Sequence, residues 1–419
     1  MKELKAYLSA RPDQYQGDVT SSFTDLAEMF SRLQYPRMHQ GGAALCVYFQ
    51  GQKVVDICMG KKSVTEDWEQ DTLSVCYSTG KGVLATLAHI LVSRGLVDYD
   101  QPIATYWPEF AQNGKANISL ADVLSHQSGL YDIRNIIQDA SQMADWDAML
   151  EHVAKAQPRF AVGKDAAYQP LTFGWLVGAT LEKATGQSLS GLMQQYLLQP
   201  LDIENAYFGV PYQSLGNVAK PFARSIPVDS KPQSSKVNKQ VKRMSLMDRV
   251  TQWSGQNPQD FQDAMIPKGM KNFSFFSEQG LQAVIPAANG VFSAESLAKI
   301  YAMLAQGGQW QQHQLIKPEI FQRMSQIQYR HRDRIMPLPM HWRLGYHRVL
   351  TLGKQVPKGF GHIGFNGSGA WCDPERQLSF AYTHNFSTAS ITGDYRLWGL
   401  TQETLRCADA VLKGRKGWF

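Results

Sequence analysis

Only five of the 419 residues are cysteine: Cys46, Cys58, Cys76, Cys372 and Cys407. The count is odd and no two are spaced C-x-x-C. This argues against a disulfide framework or a cysteine metal site and fits a reducing compartment. The first residues, MKELKAYLSARPDQYQ, contain no apolar run, so no signal peptide is expected. No stretch reaches the ~18 uncharged apolar residues that a spanning helix needs, so no membrane insertion is expected. A soluble, cytoplasmic protein follows from these absences. Charge of one sign is not in large excess either. A net charge of +6 over this length is mild and gives no case for a nucleic-acid partner. Hydrophobic residues make up 43% and charged residues 19%, which excludes global disorder and predicts a sizeable core. The length suits one large domain with insertions, or two intimate sub-domains. Oligomeric state is not legible.

Several catalytic signatures are missing too. There is no H-E-x-x-H and no G-x-S-x-G, and Gly80-Lys81 lacks the upstream glycine of a phosphate-binding loop. An α/β-hydrolase elbow is thereby set aside. No metal or organic cofactor is called for.

Periodicity supplies the outline. Residues 20–34 place Phe23, Leu26, Met29, Phe30 and Leu33 at helical spacing. Ala43–Phe49 and Lys53–Met59 read as strands joined by a turn at Gln50-Gly51-Gln52. A long helix is expected over 78–97, with Ser78 at its start and Gly95 near its end. Ser119, Asp145 and Thr172 read as further helix starts, and Gly186 as a helix end. Residues 213–280 are polar, with basic residues crowded at 231–249. They read as an insertion or lid, not a second domain. Helical signal returns at Ser293–Gln306. Gly369–Asp373 and Leu378–Asn385 read as strands around the turn Asp373-Pro374-Glu375-Arg376, and a last helix spans 395–412. Strand pairs near both ends, with helices between, predict an α+β fold: an antiparallel sheet built from both chain ends, flanked by helices, plus a mainly helical region. The expected division is a sheet region (1–95 and 281–419), a helical region (96–212) and the 213–280 insertion, in one structural unit.

S-x-x-K occurs twice, as Ser78-Thr79-Gly80-Lys81 and as Ser296-Leu297-Ala298-Lys299. On a helix, residues i and i+3 share a face, so an amine can reach a hydroxyl one turn earlier. To accept that proton the lysine must be neutral. Its pKa must fall from ~10.4 towards ~7, at a cost of about 4–5 kcal/mol, which burial in an apolar site supplies. A serine at a helix N-terminus also has an unpaired backbone N–H to offer an oxyanion. The first copy opens a helix continuing GVLATLAHILV, which would bury Lys81. The second lies within an amphipathic helix already started by Ser293, with Lys299 expected in solvent. Ser78 is therefore taken as nucleophile and Ser296 as a chance match.

The block YSTGKGVLATLAHILVSRGLVDYDQPIATYWPEF, followed by ISLADVLSHQSGL, resembles the serine β-lactamase and penicillin-binding-protein superfamily. Within it the chain is most similar to the class C-like carboxylesterases often called family VIII. AAYQPLTFGWLVGATLEKATGQSL, IPAANGVFSAESLAKIYAMLAQGG and GFGHIGFNGSGAWCDPERQLSFAYTHN extend the resemblance, in the family's order, over roughly residues 42–205 and 280–390.

The resemblance implies roles. Tyr168, in Tyr168-Gln169-Pro170, would share proton traffic with Lys81. A phenol flanked by that lysine could be held partly ionised. The class C β-lactamases carry an asparagine at the position of Pro170, which has no side-chain donor. His362-Ile363-Gly364 aligns with the family's K-T-G, and His362 would be only partly charged near neutral pH. Both departures favour neutral esters over β-lactams. The N–H groups of Ser78 and Phe365 would form the oxyanion hole. Tyr77 could touch substrate, and Phe273, Phe275 and Phe276 could line an acyl pocket or dock the lid. Leu124–Leu130 and Pro286–Gly290 read as structural, the latter as a wall near the cleft. Trp371, Phe380 and Tyr382 read as core.

The implied activity is ester hydrolysis through a Ser78 acyl-enzyme with a small-molecule ester as substrate. The alternatives are a β-lactamase or D-Ala-D-Ala peptidase, an acyltransferase, and a non-catalytic binding protein on the same fold.

Overall fold

The computed structural model describes residues 15–34, 41–222, 257–353, 355–388 and 390–416. The basic cluster at 231–249, and the 223–256 stretch that contains it, lie outside the described residues.

The twelve described strands are β1 (Gln16–Val19), β2 (Gly42–Phe49), β3 (Gln52–Gly60), β4 (Ser74–Val75), β5 (Ala206–Tyr207), β6 (Val291–Phe292), β7 (Gln309–Trp310), β8 (His313–Gln314), β9 (His347–Arg348), β10 (Phe360–Ile363), β11 (Gly369–Asp373) and β12 (Leu378–His384). Seven of them form one antiparallel sheet in the order β1-β3-β2-β12-β11-β10-β9. The expected hairpin joins β2 to β3. Gln50 (φ 52°) and Gly51 (φ 78°) supply the left-handed pair that a tight two-residue turn requires. The two chain ends meet where β2 pairs with β12, Leu45 opposite Tyr382 and Val47 opposite Phe380. The α+β sheet anticipated from the sequence is thus built from both ends of the chain.

Strand alternation divides the core. Leu45, Val47 and Phe49 face the helices Thr24–Gln34 and Tyr395–Lys416, together with Trp371, Phe380 and Tyr382. Ala44, Cys46 and Tyr48 face the opposite way, onto the helices Thr79–Ser93 and Ala294–Ala305 and the helical region beyond. With both faces covered, β2 is buried at every position and reads as a continuous apolar run. All five cysteines are buried and unpaired.

Helix starts behave mostly as read. Ser119 forms a reciprocal capping box with Asp122, and the Asp145 carboxylate accepts from the Ala148 N–H. Gly186 ends its helix in the left-handed conformation. Thr172 differs: it does not cap, and its hydroxyl donates to the Leu130 carbonyl. No described helix is long and apolar enough to cross a membrane. No described cluster of three or more His, Cys, Asp or Glu could hold a metal ion.

Candidate active site

The Thr79–Ser93 helix runs from a strained turn. Tyr77 precedes it at φ 47°, a left-handed conformation that costs a residue with a Cβ about 1–2 kcal/mol. Ser78 sits at the cap position, yet its hydroxyl caps nothing. It points instead to Lys81, whose Nζ lies 2.9 Å from Ser78 Oγ. The helix is almost wholly buried, and Lys81 is fully shielded from solvent. Its Nζ also lies 2.7 Å from the Pro170 carbonyl and 2.7 Å from the Ala287 carbonyl. Among the described residues no carboxylate pairs with it. Burial drives its pKa well below the ordinary lysine value.

Tyr168 closes the group. Lys81 Nζ stands 5.0 Å from the centre of its ring, and its hydroxyl interacts with Ser78. The ring is boxed by others. It stacks on Trp342 at 5.4 Å with the planes 5° apart, takes the His126 ring edge-on at 5.1 Å, and has His362 at 6.1 Å. Burial raises the Tyr168 pKa and outweighs the opposing pull of Ser78. The expectation of a partly ionised phenol is thereby corrected: the resting group is a neutral O–H.

β10 delivers the third motif. Gly364 follows the strand so closely packed on the turn before Ser78 that a Cβ there would stand 2.2 Å from the Cys76 carbonyl. Phe365 follows it and lines the same cleft as Ser78. Among the described residues neither the Ser78 nor the Phe365 N–H has a backbone acceptor. His362 is buried, and its Nδ1 lies 2.8 Å from the Ile363 carbonyl, which places the proton on Nδ1. Burial pushes its pKa well below 6.5. The partly charged histidine read from the sequence is therefore neutral. His347 steadies the same strand: its Nε2 accepts from the Ile363 N–H at 3.0 Å.

The cleft beside Ser78 is walled by Phe261, Met265, Met336, Met340 and Ile391, with Tyr168, Trp342, His362 and Phe365 at the site itself. Phe273, Phe275 and Phe276, read as lining an acyl pocket or docking the lid, are not among the residues walling this cleft. Phe275 and Phe276 pack edge-on against Tyr77, with ring centres 6.0 and 6.4 Å away, and Phe273 packs on Phe275. Ser296 is far from this chemistry. Its hydroxyl bonds Ser293 and the Asn205 carbonyl. Lys299 is not free in solvent as expected: its amine donates to the Asp202 carbonyl at 2.7 Å.

Sequence reasoning missed the carbonyls of Pro170 and Ala287, which no side-chain motif advertises. It read Pro286–Gly290 as a wall only, and His126 as part of a turn only. Trp342, His347 and Asp333 were not singled out at all. The density of aromatic and histidine residues in HWRLGYH was the one available signal.

A half-buried serine beside a buried lysine at the head of a helix, facing a sheet edge, defines an acyl-transfer scaffold of the β-lactamase-like class. The "Beta-lactamase" family model matches residues 30–401, and the chain belongs to that family. It is 34% identical to the Esterase/beta-lactamase LipL of Mycobacterium tuberculosis over 88% of this chain and 82% of that protein. It is also 28% identical to Esterase EstB of Burkholderia gladioli over 49% of this chain and 58% of that one. A crystal structure of a family VIII carboxylesterase superposes with a TM-score of 0.79 at 27% identity, covering 94% of this chain and 99% of its own. The chain is a serine hydrolase with the β-lactamase fold.

Proposed function

We propose that this chain is a carboxylesterase working through an acyl-enzyme on Ser78. One observation carries the reading: the partner set of Lys81. A neutral amine has two N–H groups and one lone pair. Here three oxygens lie within hydrogen-bond distance: the Pro170 and Ala287 carbonyls, which only accept, and the Ser78 hydroxyl, which can accept from the amine or donate to it. With the Ser78 hydroxyl donating, these partners suit the neutral form, which burial favours and which is the form able to take the serine proton.

Ser78 attacks the ester carbonyl as its proton passes to Lys81. The two carbonyls then stabilise the ammonium that results. Negative charge on the former carbonyl oxygen is held by the N–H groups of Ser78 and Phe365. Tyr168 gives its proton to the departing alkoxide and recovers one from Lys81, so the pair ends neutral. Water then attacks the acyl-enzyme by the reverse traffic, and the acid leaves.

Two features favour neutral esters. Neutral His362 offers no charge to a substrate carboxylate, and Pro170 offers no side-chain donor to a substrate amide. The apolar walls from Phe261, Met265, Met336 and Met340 suit an aliphatic or aromatic ester group. The relatives named as esterases support the same direction. The test is a comparison of p-nitrophenyl esters with nitrocefin. Faster turnover of the esters in kcat/KM is expected. Preference for nitrocefin would favour the β-lactamase alternative, and ester product diverted to an added alcohol would favour the acyltransferase. The 213–280 stretch we take as an insertion bordering the cleft, since its described part supplies Phe261 and Met265.

A further inference from the structure

Asp333 is buried and keeps company with no cation: among the described residues no Lys, Arg or His pairs with it. Its neighbour Arg334 turns away to Asp165, at 2.7 Å. A lone buried carboxylate is costly unless N–H groups replace its water. Four do. Oδ1 accepts from the N–H groups of Ile335 at 2.7 Å, Met336 at 2.8 Å and, more weakly, Tyr168 at 3.5 Å. Oδ2 accepts from the Trp342 indole N–H at 2.7 Å. One oxygen thus ties down a turn and the Tyr168 backbone. The other is spent wholly on the indole.

That indole is the plate of the site. Tyr168 lies flat on it, His126 meets it with ring centres 4.4 Å apart, and His347 meets it at 6.0 Å. A ring that can rotate about its side-chain bonds would not hold three others. Fixing its N–H to Oδ2 fixes its plane, and with it the plane of the phenol.

We propose that Asp333 is a positioning residue for Tyr168, acting through the Trp342 indole. The inference rests on the proton-relay reading of Tyr168, and the test separates the two. Asparagine cannot replace this aspartate. Its one oxygen would serve the backbone donors, leaving its NH₂ facing the indole N–H, donor against donor. Trp342→Phe removes that clash, although in the parent chain it strips Oδ2 of its partner.

The experiment measures kcat and KM for p-nitrophenyl acetate at pH 8 in Asp333→Asn, Trp342→Phe, their double variant and Tyr168→Phe, with thermal melts to check folding. Asp333→Asn is expected to lower kcat by about 10- to 100-fold, the cost of a displaced catalytic group, with little change in KM. Trp342→Phe should lower kcat in the parent chain but raise it in the Asp333→Asn background. That reversal of sign is what a general loss of stability would not produce. Unchanged kcat in Asp333→Asn, or effects that simply multiply, overturns the proposal. If Asp333→Asn does not fold, Trp342→Phe decides alone: a fall in kcat at constant KM supports the proposal, and an unchanged kcat overturns it. An active Tyr168→Phe variant would sink the relay reading and this inference with it. An inactive Tyr168→Phe beside a fully active Asp333→Asn would sink only the inference.

Discussion

An ammonium at position 81 would be a buried cation with no carboxylate partner among the described residues, and burial opposes that charge. Under the proposed mechanism the free base is the working form. The sign of the pH dependence follows. With its pKa lowered, Lys81 becomes protonated and inactive only below that depressed value. Ester kcat/KM should rise with pH through it and then level off, as a pH-rate profile will show. Lys81→Arg places a permanent cation there and should cost about 10²–10⁴ in kcat, the usual worth of a general base. At Gly364 the prediction is steric. An alanine Cβ would sit 2.2 Å from the Cys76 carbonyl, forcing β10 and the Phe365 N–H away from Ser78. Gly364→Ala should lower kcat by about 10²–10³, the loss typical of one oxyanion donor, with KM less affected.

The elements of this fold announce themselves unevenly. β2, β3, β11, β12 and the helices beginning near Ser78, Ser119, Asp145 and Ser293 were legible because periodicity, turns and caps are local signals. The Ser78–Lys81 contact was legible because an apolar helix must bury a lysine one turn in. What was not legible is long-range. The Ala287 carbonyl meets Lys81 across 206 positions of sequence, and Asp333 reaches the Tyr168 backbone across 165. Backbone acceptors have no residue code, and burial of His362 was needed to fix its charge. The Leu120–Leu124 helix shows a local device serving a distant end. Its capping box starts a short segment that delivers His126, at φ 61°, against Tyr168. Ser119→Ala should cost about 1 kcal/mol in a urea melt, as cap removals do.

Over the whole molecule, buried neutral histidines set the response to acid. His89, His126, His347 and His362 are all buried, and burial depresses each pKa, to about 3 for His89 and about 4 for His347. The unfolded chain takes up these protons below ~6.5, and the folded chain refuses them. Stability is therefore fully present above that value and lost as pH falls towards 4, by up to ~1.4 kcal/mol per pH unit for each histidine. Asp333, raised to about 6 by burial, pulls the other way, as do Asp56 and Asp373, also raised by burial, three groups against four. The melting temperature should drop between pH 7 and pH 5. A flat or rising trend would contradict the assigned neutral histidines. The central claim, that acyl transfer runs through Ser78, is tested most directly by acid-quenching the protein during ester turnover and mapping the acyl group by peptide mass spectrometry. The acyl mass is expected on the peptide carrying Ser78, absent in Ser78→Ala and unaffected by Ser296→Ala. Acylation at another residue, or its persistence in Ser78→Ala, would contradict it.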